Sequence, residues 1–309
     1  MKSFGEPAQF DRQGRKVCLA IGVFDGVHLG HQQVLRQSIT DAAQHHAWAL
    51  AVTFDRHPSV IVSPKNAPAP IYSLPQKLRV LGAFGLAAAW TIRFDEEFSR
   101  QSGETFVRNL ARDFGPVLSI CVGSGFRFGH GRAGNVSLLQ ELGRELGFSV
   151  HGLAAVSLDG LAVSSTRIRE SIRNGNLDAA SQMLGRPYSV SGKVISGDGV
   201  GNKLGFPTAN VDVAGLTLPP NGVYAAQVQF QDQTLPAALN LGYRPTLQST
   251  EPQLRMEVHL LDFAQNLVGQ ELEVIFVERL RDEQKFPSLD ALQHQITADI
   301  AKARELFGE

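Results

Sequence analysis

Five consecutive apolar residues, Val17-Cys18-Leu19-Ala20-Ile21, run directly into Gly22-Val23-Phe24-Asp25-Gly26-Val27-His28-Leu29-Gly30-His31, and a helical pattern follows. This junction constrains the fold more than any other stretch. A short run that is apolar on both faces is a strand buried in a parallel sheet. The glycines permit a tight turn and close approach of backbone to a ligand. The helix carries Val34, Leu35 and Ile39 as an apolar stripe, and its first N–H groups point outward and favour an anion. Strand, glycine turn and helix in that order make a phosphate-binding arrangement.

The pattern repeats. Residues 49–54, 87–94 and 117–122 are further apolar runs, separated by helical stretches such as 31–47. Alternating strands and helices imply a parallel sheet covered by helices. Ligands of such sheets bind beyond the carboxyl ends of the strands, where residues 22–31 lie. The Pro-rich stretch 58–75 reads as a long surface loop.

After Leu184 the pattern changes. Residues 189–195, 223–230, 254–260 and 271–277 read as strands. In the second of these, Tyr224, Ala226, Val228 and Phe230 alternate with Ala225, Gln227 and Gln229, a period of two. Short strands with Gly/Pro turns suggest a small barrel. A helix ends the pattern. Ser288 suits its N-cap, Asp290 its first turn, and Leu289, Leu292, Ile296, Ile300 and Phe307 mark a face expected to seal the barrel. A chain of 309 residues accommodates two such domains, expected at 1–184 and 185–309.

A net charge of −1 lacks the basic footprint of a nucleic-acid binder and gives no attraction to anionic membranes. Cys18 and Cys121 fall in strands, which predicts buried thiols rather than a disulfide. Neither a signal-type segment nor a membrane-length apolar run is present. The expectation is a cytoplasmic protein with small-molecule substrates, a monomer or weak oligomer, without nucleic-acid or membrane partners.

Two constellations carry chemistry. The first joins residues 22–31 to Ser164-Ser165-Thr166-Arg167-Ile168-Arg169. The hydroxyl residues suit a helix start, with Ile168 and Ile172 beginning an apolar stripe. Arg167 and Arg169 place cations at the positive end of a helix, which a bound triphosphate would offset. His28 and His31, three apart, can both donate to one phosphate. An isolated pair of this spacing is usually ordinary, and no further Cys or His completes a zinc set. The stretch Gly129-His130-Gly131-Arg132-Ala133-Gly134 fits a dinucleotide fingerprint literally, but does not directly follow a strand.

The second constellation begins with the glycine-rich loop Gly197-Asp198-Gly199-Val200-Gly201-Asn202-Lys203-Leu204-Gly205, suited to lie over phosphates. Phe206-Pro207-Thr208-Ala209-Asn210 follows. Thr208 and Asn210 offer hard oxygen ligands to Mg²⁺, and Pro207 stiffens the backbone before them. Glu257 sits on a strand with Met256, Val258 and Leu260 facing one way and Glu257, His259 and Leu261 the other. It is a candidate base, although an isolated strand-face glutamate is more often a solvated one.

These blocks resemble the bacterial bifunctional riboflavin kinase/FAD synthetase family over most of the chain. Thr53-Phe54-Asp55-Arg56-His57-Pro58, Phe126-Arg127-Phe128-Gly129, Asn240-Leu241-Gly242-Tyr243-Arg244-Pro245-Thr246, Glu257-Val258-His259-Leu260-Leu261-Asp262-Phe263 and Arg281-Asp282-Glu283-Gln284-Lys285-Phe286 add to the likeness. The resemblance implies a Rossmann-like α/β nucleotidyltransferase domain and a riboflavin kinase-like barrel. It implies conversion of riboflavin and ATP, with Mg²⁺, to FMN and ADP, and of FMN and ATP to FAD and pyrophosphate. In the first domain it assigns ATP contacts to Gly22, Phe24, Asp25, Gly26, His28, Gly30, His31, Ser165, Thr166 and Arg169, with both histidines catalytic. His57, Phe126, Phe128 and Arg132 become flavin or nucleotide contacts. In the second domain Gly197, Gly199, Gly205, Pro207, Thr208 and Asn210 would bind ATP, with Thr208 and Asn210 on Mg²⁺ and Glu257 as base. Two positions depart from the family: Gly125 stands where Asn or Asp is usual, and Asn202 where many members have Arg. The alternatives are a riboflavin kinase with an impaired adenylyltransferase domain and a catalytically silent flavin- or nucleotide-binding regulator.

Overall fold

The computed structural model describes residues 1–197, 201, 204–246 and 249–308, and for 244–246 and 249–253 the strand backbone alone. Gly199 and Asn202 lie outside the described residues. By its contacts the chain divides into two compact units. One is Met1–Ile168 with Met183–Gly185; the other is Arg169–Gln182 with Arg186–Glu309.

The first unit is built on a six-stranded sheet. Its strands are β1 Lys2–Phe4, β2 Val17–Ile21, β3 Trp48–Phe54, β4 Ala88–Ile92, β5 Val117–Gly123 and β6 Ser149–Leu153. They lie in the order β1-β4-β3-β2-β5-β6, every pair parallel. The connecting helices are α1 Leu29–Gln44, α2 Ser59–Val62, α3 Leu74–Gly82, α4 Glu96–Ser99, α5 Gly103–Phe114 and α6 Val136–Leu146.

Successive residues of a strand face opposite sides, so a sheet covered on both needs apolar residues throughout. Val17, Leu19 and Ile21 join one core with Phe106 and Leu110 of α5 and Leu139 of α6. Cys18 and Ala20 join another with Val34 and Leu35 of α1 and Leu81 of α3. Both cysteines are buried free thiols. Burial, reinforced by the Asp41 carboxylate, pushes Cys121 far above the ordinary thiol range, so it packs rather than reacts. The strand order reverses at β2, which pairs with β3 on one side and β5 on the other. Beyond the carboxyl ends of β2 and β5 a crevice is therefore expected.

Residues 58–75 are not the open loop that their prolines suggest. They contain α2 and a turn of 3-10 helix, Pro64–Asn66. Ile71 and Tyr72 are buried. Ser73 caps α3 by accepting the Gln76 N–H.

A short hairpin, β7 Ser157–Leu158 with β8 Leu161–Ala162, leads to α7 Ser165–Arg173 and α8 Leu177–Leu184. The second unit is a closed antiparallel barrel of β9 Ser189–Ile195, β10 Ala209–Val211, β11 Gly222–Phe230, β12 Gln233–Thr246, β13 Ser249–Leu260 and β14 Glu271–Arg281. Its order is β10-β13-β12-β11-β14-β9, and β9 closes the ring by pairing with both β10 and β14. Tyr224, Leu239 and Val258 stand side by side in register and fill the interior, where Phe276 packs on Tyr188 and Tyr224. The opposite face of the same strands carries Ala225 beside Ala238 and His259, and Val223 beside Asn240 and Glu257.

The last helix, α9 Leu289–Phe307, lies on that outer face. Ser288 caps it by accepting the Ala291 N–H. Ala303, Ile300 and Phe307 pack on Ala225 and Ala238. Closure of the barrel is thus the work of strand pairing, and the helix covers a wall instead of plugging an end. Leu289, expected on the packed face, is 65% exposed because it precedes the turn that reaches the wall.

Candidate active sites

The crevice beyond β2 and β5 is a cleft of about 1060 Å³. Gly22, Phe24 and Gly26 belong to the turn that follows β2, and His28, Gly30 and His31 to the start of α1; all but Gly26 line one part of the cleft. Gly125, Phe126, Phe128 and Arg132 line another. The turn holds Phe24, Gly26 and Val27 at positive φ. Only Gly26 adopts this without a Cβ penalty; the other two are held by burial. The carboxylate of Asp25 also holds the turn, accepting the N–H of Ile71 at 2.9 Å and of Tyr72 at 3.4 Å. The Asp25 side chain thus braces the turn, and Asp25 also lines the cleft beside Phe24 and His28.

His28 is the N-cap of α1. Its Nδ1 accepts the His31 N–H at 3.4 Å, which in the neutral ring leaves the proton on Nε2. The two rings stack at 3.6 Å between centroids. A side chain at Gly30 would press on the His28 ring, its Cβ falling 3.2 Å from Cε1. Two imidazoles at the start of a helix, within one cleft, form a donor set for an anion.

The distant motif meets this turn directly. Ser164 Oγ accepts the Arg167 N–H and starts α7. Ser165 Oγ donates to the Asp25 carbonyl at 2.9 Å, joining segments 140 residues apart. Ser164 and Ser165 line the cleft. Thr166 is not among the residues that line it, and Arg169 is buried and groups with the second unit. Arg167 does not await an anion: its guanidinium donates to the carbonyls of Leu158 and Leu161 in the hairpin. His57 lines the cleft, its Nδ1 accepting the Ser59 N–H. Phe126 and Phe128 stack at 5.3 Å, offering an aromatic wall. The space over Gly125 is open, and a Cβ at that position would meet no atom within 4 Å beyond its chain neighbours.

One residue behind the wall of this cleft belongs to none of the sequence motifs. Lys77 of α3 is buried, and its Nζ donates to the Phe54 carbonyl at 2.8 Å, Thr53 Oγ1 at 3.1 Å and the Val23 carbonyl at 3.3 Å. Burial lowers it to about 8, against the pull of Asp25 and Asp55. A signal exists in hindsight: Leu74, Lys77, Leu78 and Leu81 follow the spacing of a buried helix face, with lysine at a core position.

A second cavity, about 380 Å³, lies between the outer wall of the barrel and α9. Val223, Ala238, Asn240, Glu257 and His259 form its floor, and Leu292, Ile296 and Ile300 its roof. Thr208, Gly201 and Phe206 close one side. Glu257 on β13 is the register partner of Asn210 on β10 and of Asn240 on β12. One carboxylate thus stands between two amides on a shared face. His259 Nδ1 lies 2.7 Å from the Pro207 carbonyl and ties β13 to the segment that carries Thr208.

Asn210 Oδ1 is buried with no hydrogen-bond partner among the described residues. A buried, unsatisfied oxygen is costly unless a ligand completes it. Gly197 is packed on the same amide, and a Cβ there would collide with Nδ2. Gly205 is exposed at positive φ. No motif foretells that Arg281 and Asp299 share a wall of this cavity, their side chains pairing through Nε and Nη2 at 2.7–3.0 Å.

A family model for FAD synthetase matches residues 11–167, and one for riboflavin kinase matches residues 184–307. The bifunctional riboflavin kinase/FMN adenylyltransferase of Escherichia coli (strain K12) is 38% identical over 291 residues, 94% of this chain and 92% of that protein. The protein of the same description from Pseudomonas fluorescens is 37% identical over 296 residues, 96% of this chain and 94% of its own. A crystal structure described as a macrolide-efflux protein from Streptococcus pneumoniae superposes with a TM-score of 0.81 at 26% identity, covering 98% of both chains. Among the described residues of this chain, no helix is long and apolar enough to cross a membrane. With both family models matched in chain order and relatives alike over nearly their whole length, the chain belongs to the bifunctional riboflavin kinase/FMN adenylyltransferase family.

Proposed function

We propose that this chain makes FMN in its barrel unit and FAD in its sheet unit, and that the residues assembled at the two sites divide the chemistry as follows. The observation that carries the reading is Glu257, held between Asn210 and Asn240 at the floor of one cavity, on the same chain as the His28/His31 pair in another.

In the barrel, the Glu257 carboxylate accepts the proton of the riboflavin ribityl 5′-hydroxyl as that oxygen attacks the γ-phosphorus of ATP, and ADP leaves. Thr208 and Asn210 would hold Mg²⁺, a role that the orphaned Asn210 oxygen fits. When bound, Mg²⁺ supplies charge neutralisation to the phosphate oxygens of ATP. Gly197 and Gly205, with Pro207, shape the backbone near the phosphates. The apolar roof from α9 excludes water and suits an apolar ring system.

In the sheet unit, a phosphate oxygen of FMN attacks the α-phosphorus of a second ATP. The bond to the β-phosphate bridge breaks, and pyrophosphate leaves. Phosphate is already ionised, so no protein nucleophile is required. His28, His31 and the first turn of α1 place donors where negative charge grows. Phe126 and Phe128 supply the stacking surface for a flavin or adenine ring, flanked by His57 and Arg132. The boundary between the two functions is placed after Leu184, and the protein is proposed to act in the cytoplasm on small molecules as a monomer or weak oligomer.

The test is a time course of purified protein with riboflavin, ATP and Mg²⁺, the flavins being separated by chromatography. FMN that rises and then falls as FAD grows is the expected result. FMN without FAD would reduce the reading to a kinase, and no product from riboflavin or from FMN would reject both activities.

A further inference from the structure

Lys77 lies one carbonyl behind the wall of the adenylyltransferase cleft. The residues whose carbonyls it binds, Val23 and Phe54, line the cleft, whereas Lys77 itself does not. Thr53 Oγ1, which Lys77 also contacts, donates to the same Val23 carbonyl at 3.0 Å. One ammonium therefore joins the start of the glycine turn to the end of β3. Burying an ammonium is strongly unfavourable unless something offsets it. Two carbonyl contacts and one hydroxyl contact could be replaced by an apolar side chain at that core position with less penalty. What an apolar residue cannot supply is positive charge, and in a water-poor interior such a charge acts strongly on groups across a thin wall.

We infer that Lys77 is a positioning residue for FMN adenylylation, fixing the glycine turn against β3 and placing a buried positive charge beneath the bound triphosphate. This rests on the adenylyltransferase reading above. The charged groups facing Lys77 are Asp25, from the turn, and Asp55, past the end of β3. Asp55 is paired with Arg56 at 2.8 Å. Both carboxylates favour the protonated lysine, and burial opposes it more strongly, leaving it at about 8.

Charge and stability then move in opposite directions with pH. The folded-state value of about 8 is below the ordinary 10.5. Between these values the unfolded chain binds more protons, so deprotonation of Lys77 favours the fold as pH rises. A purely structural lysine would leave adenylylation intact or improved in that window. A lysine acting on the triphosphate makes kcat/KM for ATP in FAD formation, which reports the ligand-free chain, fall as pH passes about 8.

The experiment uses the full chain, with FMN-to-FAD and riboflavin-to-FMN rates measured separately from about pH 6.5 to about pH 10 on wild type, Lys77→Met and Lys77→Gln, a range that brackets the titration. Gln keeps an N–H donor for the carbonyls but no charge. Both variants are expected to lower kcat for FAD formation by about tenfold or more, as loss of a charge-stabilising group does, with kinase kcat unchanged. The fall in kcat/KM for ATP near pH 8 should vanish in both. Wild-type turnover matched by Lys77→Gln, or a wild-type kcat/KM profile for ATP flat through pH 8, would overturn the inference alone. A wild-type chain that makes no FAD from FMN would overturn the adenylyltransferase reading and this inference with it.

Discussion

Gly197 has no room for a side chain, because its Cα faces the Asn210 amide. Gly197→Ala should displace that amide and raise the Mg²⁺ concentration needed for half-maximal kinase rate, with FAD formation from FMN unchanged; titration of Mg²⁺ in both assays checks this. Gly125 is the reverse case. Open space surrounds it, so Gly125→Asn should fold normally and lower KM for FMN or ATP in adenylylation. Equal KM values in variant and parent would make the departure from the family neutral. The same scale shows what a sequence conceals. His28, His31 and Glu257 stand out only through the blocks around them, since an isolated histidine pair or strand-face glutamate is usually ordinary. Asp25 is also legible as part of the motif, but its task is not, since the Ile71 and Tyr72 N–H groups that it holds lie 46 and 47 residues away. Nor does the sequence tell Arg167's partners, which are backbone carbonyls.

Elements are legible where one physical signal dominates. β2, β3 and β5 are apolar on both faces and bounded by turns, and the pattern of β9 gives its observed limits, Ser189–Ile195. β12, Gln233–Thr246, escapes, because Pro236, Gly242 and Pro245 interrupt the alternation. The prolines of 58–75 mislead for a related reason: Pro at a helix start is compatible with a helix, as at α3. The pattern of α9 gives its cap and most of its face, but not its place outside the barrel. That place makes the helix the roof of the cavity proposed for the kinase reaction, through Leu292, Ile296 and Ile300. Ser288→Ala removes the hydroxyl that accepts the Ala291 N–H and should destabilise the helix by about 1 kcal/mol. Riboflavin KM should rise while adenylylation keeps its rate; a lower melting temperature with unchanged riboflavin KM would separate the helix from the site.

At the scale of the molecule, each proposed reaction has its own cavity and its own compact unit. Damage should therefore separate cleanly. Glu257→Gln is expected to lower the kinase rate by roughly 10²–10⁴, the usual contribution of a general base, while FMN is still converted to FAD. His28→Ala combined with His31→Ala should cut FAD formation by about 10² or more and let FMN accumulate. Parallel loss of both activities in either variant would contradict the division of labour. Two domains can be read from the change of pattern near Leu184. The compact units group differently: Arg169–Gln182 packs with the barrel unit, and Met183–Gly185 with the sheet. Tertiary contact decides this, and local pattern carries no trace of it.

The barrel also has a calendar. Its first strand, β9, pairs with β14, the last strand, and the roof of its cavity comes later still, from α9. The six strands of the sheet are all present by Leu153. On a ribosome, where domains fold as they emerge, the sheet that supports FAD formation can assemble while the kinase is still unwritten. The half of the chain that acts first on riboflavin is the one finished last.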